Sequence, residues 1–509
     1  MKRSKFSLSN YKLLSCNIGE LVPCGIQEVL PGDSFQHSTS VLIRCSPLVA
    51  PVMHPLHARV HHFFVPTRLV WEDWESFITG GSDGMDAAVM PTITFGGGTG
   101  AAVGSLADYL GVAPLVNNVE VSALPFRAYA LIFNEYFRDQ DLITPLTIDL
   151  TSGADTTTNT ALQYVSWEKD YFTSSRPWTQ KGPEVTIPLT GNAPVKGIGV
   201  VDGNFTNSNV NVIEAGTGAT TFPFAKEGWS SDTNEQHYIE GTAATSGQPN
   251  IFADLSSVTA ASVNDLRLAL ALQRYEEARA RYGSRYTEYL AYLGVRSSDA
   301  RLQRPEYLGG GKQTIQFSEV LQTAPAFVPS DDEQVGDVGE LKGHGIGALR
   351  SNRYRRFFEE HGFVISLLSL RPRSMYVQGL KRMWLRRTKE DFWQKELQHI
   401  GQQEIDRKEI WAASASATPF GYQDRYDEYR RTESSVAGEF RTTLLNYWHM
   451  ARIFGSEPSL NSDFINLTPD QVDRIFAVPS TTQNTLWCMC NHSLQARRMV
   501  AAQGTSFIF

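Results

Sequence analysis

Cysteine is scarce in this sequence: five in 509 residues, at Cys16, Cys24, Cys45, Cys488 and Cys490. The number is odd and no CxxC pair occurs, which argues against a disulfide framework and a zinc ribbon. Free thiols in a reducing compartment are expected instead. Long apolar runs are missing too. No stretch approaches the roughly 18 residues needed to span a bilayer, so membrane insertion is not expected. The first ten residues, MKRSKFSLSN, are basic but lack the apolar centre of a secretory signal. Positive charge is not in excess either: the net charge is −8. The molecule as a whole is therefore no polycation built to coat nucleic acid, and any such contact must come from a local patch. What remains, 41% hydrophobic and 20% charged, is the composition of a soluble protein with a sizeable core.

Catalytic motifs are missing as well. The run Gly309-Gly310-Gly311-Lys312 suggests a phosphate loop, but Glu306 stands at the first glycine position of that motif and Gln313 at its Ser/Thr position. The segment that follows, QTIQFSEVL, is strand-like, so no helix dipole would face a phosphate. The glycines are better explained as backbone that needs positive φ or close approach, turning the chain into a strand at Thr314–Leu321. His54, His57, His61 and His62 sit in VMHPLHARVHHFF, whose β-branched and aromatic residues favour a strand. There, positions i and i+4 lie about 13 Å apart, so structural or surface histidines are expected rather than a metal site. Asp424, Asp427 and Glu428 could pair as glycosidase carboxylates, but Arg425 and Arg430 alternate with them and local ion pairs are the simpler account. KGHGIG (342–347) reads as a glycine-rich turn. No cofactor is expected.

The pattern along the chain is mainly extended. Residues 34–47 and 56–66 read as strands bounded by Pro and Gly. So do QTIQFSEVLQT, GFVISLLSLRPRSMYVQGL and the C-terminal RIFAVPSTTQNTLWCMCNHSLQARRM, with strand signal continuing to the final SFIF. Residues 68–81 carry Val70, Trp74, Phe77 and Ile78 at helical spacing, with Gly80-Gly81 as a stop. The strongest helix signal is 262–293. Ser262 and Asp265 resemble a capping box, and Leu266, Leu270, Tyr275, Ala278, Tyr282, Tyr286, Tyr289 and Leu293 form one stripe, expected to be a packing face. Gly283 is positioned to split this helix and Gly294 to end it. Residues 187–253 differ from the rest: dense in Gly, Thr, Asn and Ser, with six acids, two lysines and no arginine. They read as an exposed inserted subdomain of short strands.

Charge is unevenly placed. Residues 350–389 hold eleven Lys and Arg against two acids, so this segment carries +9 and the remainder of the −8 chain carries −17. Tyr354, Phe357, Phe358, Tyr376 and Trp384 interleave with the charge. Basic residues among aromatics suit single-stranded nucleic acid; they equally suit arginines bonded to acids across an interface. The candidates for an inner, nucleic-acid-facing surface are Arg350, Arg353, Arg355, Arg356, Lys381, Arg382, Arg386 and Arg387, with Lys2, Arg3 and Lys5 as a flexible basic arm.

The blocks RPEYLGGG, EEHGFVISLLSLRP, YVQGLKRMW, DFWQKELQHIGQQEI, FGYQDRYDEYR and VDRIFAVPS resemble the major capsid proteins of Microviridae, the gokushovirus-like branch in particular. The N-terminal run from LPGDSFQHSTS to WEDWESFITGG resembles the same family. The resemblance implies an all-β viral jelly roll, an eight-stranded antiparallel sandwich with long insertions and a few helices. Its core would be 1–186 with 254–509, and 187–253 would form a protrusion at the threefold axes. It also implies a structural protein without catalytic residues, sixty copies of which form a T=1 shell around circular single-stranded DNA in the virion, assembled in the bacterial cytoplasm. The implied partners are further copies of the chain, the packaged DNA, minor phage proteins such as a DNA pilot protein and a small DNA-binding protein, and a host receptor. The rival reading is a β-sandwich carbohydrate-active enzyme using Asp424 or Asp427.

Overall fold

A computed structural model describes residues 3–502, excluding 83–84, 96–100, 115–117, 283–284, 324–325, 328–333 and 337. Of 187–262 it describes only four short strands, Val195–Lys196, Asn209–Ile213, Thr221–Lys226 and Phe252–Ala253. The chain divides into two compact units. Residues Met1–Lys181 with Arg279–Phe509 form one, and Gly182–Ala278 form the other.

The first unit is built on a ten-stranded antiparallel sheet. Its strands are β1 (Ser4–Ser7), β2 (Asn10–Cys16), β3 (Val22–Val29), β4 (Ser34–Cys45), β5 (Leu56–Pro66), β6 (Glu306–Leu321), β7 (Leu341–Arg350), β8 (Tyr354–Phe357), β9 (Gly362–Pro372) and β10 (Leu486–Arg498). The order is β1-β10-β4-β7-β6-β5-β9-β3, with β2 on β10 and β8 on β4. Strand β6 belongs to two layers. Glu306–Ile315 pairs with β5, and Gln316–Leu321 pairs with β7. The sheet thereby curls on itself into the jelly roll expected from the sequence.

Alternation explains the layers. In β10, Leu486, Cys488, Cys490, His492, Leu494 and Ala496 are buried, while Trp487, Met489, Asn491, Ser493 and Arg497 face water. Such period-two patterning places one face on the core. The space between the layers is filled by Cys16, Cys24, Val41, Ile43, Cys45, Val60, Ile315, Leu368, Cys488 and Cys490, among others. All five cysteines are buried free thiols. The second layer is also covered on its outside. Phe63, Val65, Ile365 and Leu367 pack against α2 (Leu106–Leu110) and α3 (Leu124–Ile132), through Leu106, Phe126, Tyr129 and Ile132. This is why the end of β5 is apolar on both sides.

Several sequence expectations need correction. The glycine run 309–311 lies inside β6 and does not turn the chain into it. Gly309 has φ +127° at a bulge where the register slips between Tyr307 and Gly309, and a Cβ on Gly310 would collide with the Val60 carbonyl. The stretch KGHGIG is likewise strand, within β7. Gly343, Gly345 and Gly347 alternate toward the core, where a Cβ would meet Ala50, Cys45 and Ile315. Glycine density serves close packing there, not reversal. Residues 68–81 form a 3-10 turn (Thr67–Leu69) and only one short helix, α1 (Trp74–Thr79), with Gly80 left-handed at its end. The long helix is broken as anticipated near Gly283, into α4 (Val263–Tyr282) and α5 (Tyr286–Tyr292), and Gly294 has φ +80°. Its stripe is exposed, however: Leu270 is 56% accessible, Tyr286 64% and Leu293 54%. Ser262 and the final SFIF lie outside the described residues.

Candidate nucleic-acid interface

Register fixes which side chains share the outer face of the first layer, because residues opposite one another in a ladder point the same way. Lys5 is opposite Arg497, Arg497 opposite Ser34, and Phe357 opposite Ser34 from the other side. Two residues along, Gln36 stands between Gln495 and Arg355, and farther on Ser40 stands between Asn491 and Arg350. The face continues through Leu42 beside Met489 and Ala348, and Arg44 beside Trp487 and Ile346. Strand β2 adds Tyr11, Leu13 and Ser15, and β6 adds Gln316, Ser318 and Val320 beside Ile346, His344 and Lys342.

From β1 to the end of β6 this outer face therefore carries Lys5, Arg44, Lys342, Arg350, Arg355 and Arg497, and its paired positions include no Asp or Glu. Of the six cations, Lys342 pairs with Glu340 at 2.8 Å from beyond the strand; the other five make no ion pair among the described residues. Between them lie exposed aromatic and apolar groups, notably Tyr11 at 72% and Trp487 at 45% accessibility. A chain that is acidic overall has concentrated cations and stacking surfaces on one sheet face whose paired positions carry no acid. That combination has the chemistry suited to a phosphate backbone and unpaired bases.

The sequence candidates divide. Arg350 and Arg355 are on this face, and Arg353 is exposed in the turn between their strands. Lys5 joins them in β1. The N-terminal arm expected to be flexible is a paired strand from Ser4 onward, because β10 extends far enough to offer it a ladder. Arg3 donates to the Gly32 carbonyl at 2.9 Å and lies over the Phe357 ring, while Lys2 lies outside the described residues. Arg356 points to the other side of β8 and pairs with Glu306 at 2.7 Å.

Lys381, Arg382, Arg386 and Arg387 are elsewhere, in the 3-10-rich insertion after β9. Arg382 bridges Glu409 at 2.9 Å and Glu428 at 3.6 Å. Arg386 reaches Glu428 at 3.3 Å and lies over the Tyr429 ring. Burial pushes the Glu409 carboxyl up to about 7 despite Arg382. These two arginines hold their own subdomain together. Lys381 and Arg387 remain exposed. The glycosidase reading loses its carboxylates the same way: Asp424 pairs with Arg281 at 2.9 Å and Asp427 with Arg431 at 2.7 Å. Among the described residues no group of His, Cys, Asp and Glu is arranged to hold a metal, and no helix is long and apolar enough to cross a membrane.

Sequence reasoning missed Arg44 and Arg497. The only signal was alternation: in a strand ending Ala496-Arg497-Arg498, one arginine must face each way. Arg498 indeed turns inward to Asp33 at 3.1 Å. Beneath the face lies a buried polar network. His37 meets the Tyr354 hydroxyl at 3.0 Å and His492 at 3.2 Å, Thr39 meets His492 at 2.9 Å, and His492 reaches the Cys24 carbonyl at 3.0 Å. His62 lies against the His37 ring and bonds Ser366 at 2.8 Å. Burial drives the His37 pKa down to about 3 and lowers those of His62 and His492, so all three are neutral in the folded protein at neutral pH.

The curled antiparallel sheet is the jelly roll expected of a viral coat protein. The family model described as "Capsid protein (F protein)" matches residues 1–507, and the chain belongs to that family. It is 37% identical to the capsid protein VP1 of Bdellovibrio phage phiMH2K, over 91% of this chain and 87% of that protein. With VP1 of Chlamydia phage 1 the identity is 34%, covering 94% and 91%; with VP1 of Spiroplasma virus 4 it is 32%, covering 94% and 90%. The protein is a structural component of a phage virion, of the gokushovirus type, and not an enzyme.

Proposed function

We propose that sixty copies of this chain close a T=1 shell around circular single-stranded DNA, with the acid-free face of the first layer turned toward the DNA. The absence of any carboxylate across its paired positions is the observation that carries this reading. A surface exposed only to water or to a random neighbour has no reason to exclude acids, whereas a surface against phosphate does. Copies of the chain would cover the exposed groups at the end of α4 and along α5, where Tyr282, Tyr286, Tyr289 and the following Leu293 leave an apolar surface to be buried.

The insertion 187–253, polar and free of arginine, would project outward for host attachment. A DNA pilot protein and a small DNA-binding protein would be the minor partners. Hydroxyl-radical footprinting of intact and opened particles tests the orientation. Tyr11, Met489 and Trp487 should be protected in DNA-filled particles and become reactive when the DNA is released, while limited proteolysis of intact particles should cut within 187–253. Reactive Trp487 on filled particles, or an insertion that resists protease, would reverse the assignment.

A further inference from the structure

The outer side of the second layer holds a cleft of about 440 Å³, between the end of α3, strands β5 and β9, and α5. The chain after α3 winds into a π-turn, Phe133–Phe137, which aims Tyr136 and Phe137 at the cleft and delivers Arg138 to its rim. Insertions of this kind recur at functional sites. Five cations line the cleft, Arg138, Lys169, Arg176, Arg285 and Arg371, against two carboxylates, Asp139 and Glu288.

Both carboxylates are already committed. Asp139 is held by Lys169 and by Arg176 at 3.4 Å. Burial opposes its charge, yet these two cations keep its pKa down at about 2. Glu288 accepts from Gln140 at 2.6 Å and lies 3.8 Å from Arg285. Arg138 and Arg371 are left without an ion pair among the described residues. Their hydrogen bonds go to carbonyls, of Ile143 at 2.8 Å and Ser166 at 3.2 Å, and the buried Nε of each has no partner. Arg59 stands beside Arg371 on the sheet and shares Glu168, its one carboxylate partner among the described residues, with Lys312. Burial and then Arg59 lower the Arg371 pKa to about 10. Burial and then Arg285 lower that of Arg138. Crowding like charges in a half-buried cleft is unfavourable unless an anion completes it.

Arg176 also pairs with Asp141, beyond the lining, at 3.2 Å, so two guanidinium groups, Arg138 and Arg371, are left to face the cleft, and a phosphate matches such a pair with its several oxygens in forked geometry. The opposite wall is aromatic: Phe63, Phe137 and the half-exposed Tyr307. We propose that this cleft binds the phosphate of a nucleotide, with the base against Tyr307. The phosphate could be presented by a free nucleotide or by a strand of nucleic acid, and the site is separate from the acid-free face.

The purified full-length protein would be titrated with dAMP and with inorganic phosphate, by calorimetry and by thermal unfolding, against chloride at equal ionic strength. Both should bind, dAMP the more tightly, and Arg138→Gln and Arg371→Gln should each weaken binding by about tenfold, the size expected for a charged hydrogen bond. Arg371 is the more buried, so circular dichroism is recorded for both variants, and Arg138→Gln decides if Arg371→Gln misfolds. The double variant Arg355→Gln/Arg497→Gln should bind dAMP as the parent does. Binding no stronger than chloride, or unchanged in a folded Arg138→Gln protein, overturns the proposal; so does rejection of phosphate with acceptance of an acidic peptide. Ultraviolet cross-linking of filled particles separates the sources. A Tyr307 peptide joined to DNA identifies the packaged strand, and dAMP binding without that adduct identifies the free nucleotide.

Discussion

Arg355 and Arg497 reach the same face of the sheet from opposite sides of β4, one beside Gln36 and the other beside Ser34. Neither has an ion-pair partner among the described residues, and Lys5 lies next to Arg497. Replacing both arginines by Gln should leave shells that assemble but hold DNA less well as salt rises. For each phosphate that no longer meets an arginine, the slope of log affinity against log salt should fall by about one. Nuclease sensitivity of packaged DNA across a salt series measures this, and Arg382→Gln should instead impair folding or assembly, since its partners are Glu409 and Glu428.

The histidines under that face make the protein acid-sensitive. Their folded pKa values lie below the ordinary 6.5, with His37 at about 3. Between 6.5 and about 3 the unfolded chain binds a proton at His37 that the folded chain refuses, so this residue's contribution to stability is lost as pH drops through that window. At pH 4.5, His37 alone accounts for roughly 2–3 kcal/mol relative to pH 8. Urea unfolding at the two pH values should show a smaller difference for His37→Gln than for the parent.

Inside the helical cover, Arg127 and Asp155 form a fully buried pair at 2.8 Å, and Arg127 also donates to the carbonyls of Val70 and Thr151. Removing one partner leaves the other charge uncompensated. Asp155→Ala should destabilise the protein by about 3–5 kcal/mol, and replacing both by apolar residues should cost less. A denaturation series over the two singles and the double gives the comparison.

Strand β7 lies close to its neighbours at Gly343, Gly345 and Gly347, where an added Cβ would meet Ala50, Cys45 and Ile315. Gly343→Val should fail against the Ala50 backbone, which cannot move aside. Gly347→Val meets the flexible end of Ile315 and should cost about 1–3 kcal/mol. Soluble yield and melting temperature distinguish the two outcomes.

Much of the fold was legible because alternation in β4, β5, β9 and β10 is strong and bounded by Pro and Gly. Glycine misled twice, at 309–311 and 342–347, since local composition does not distinguish a reversal from a close approach by a distant strand. The interface was half legible. A run of charge located Arg350, Arg353 and Arg355, but Arg382 and Arg386 from the same run fold back onto acids. Arg44 and Arg497 come from opposite ends of the chain and join the face only through strand pairing. The stripe along α4 and α5 was read from helical periodicity as a packing face, but it is exposed on the chain; periodicity cannot say whether the partner is the same molecule or the next.

Strand β6 has a mechanical consequence. Because one continuous backbone is laddered to β5 in its first half and to β7 in its second, the two layers cannot shear past each other without breaking hydrogen bonds in both. A pull on the second layer is carried along Ile315 and Gln316 to the first through covalent bonds. Each copy is therefore stiff between its two layers, and a load on one layer reaches the other through the backbone itself.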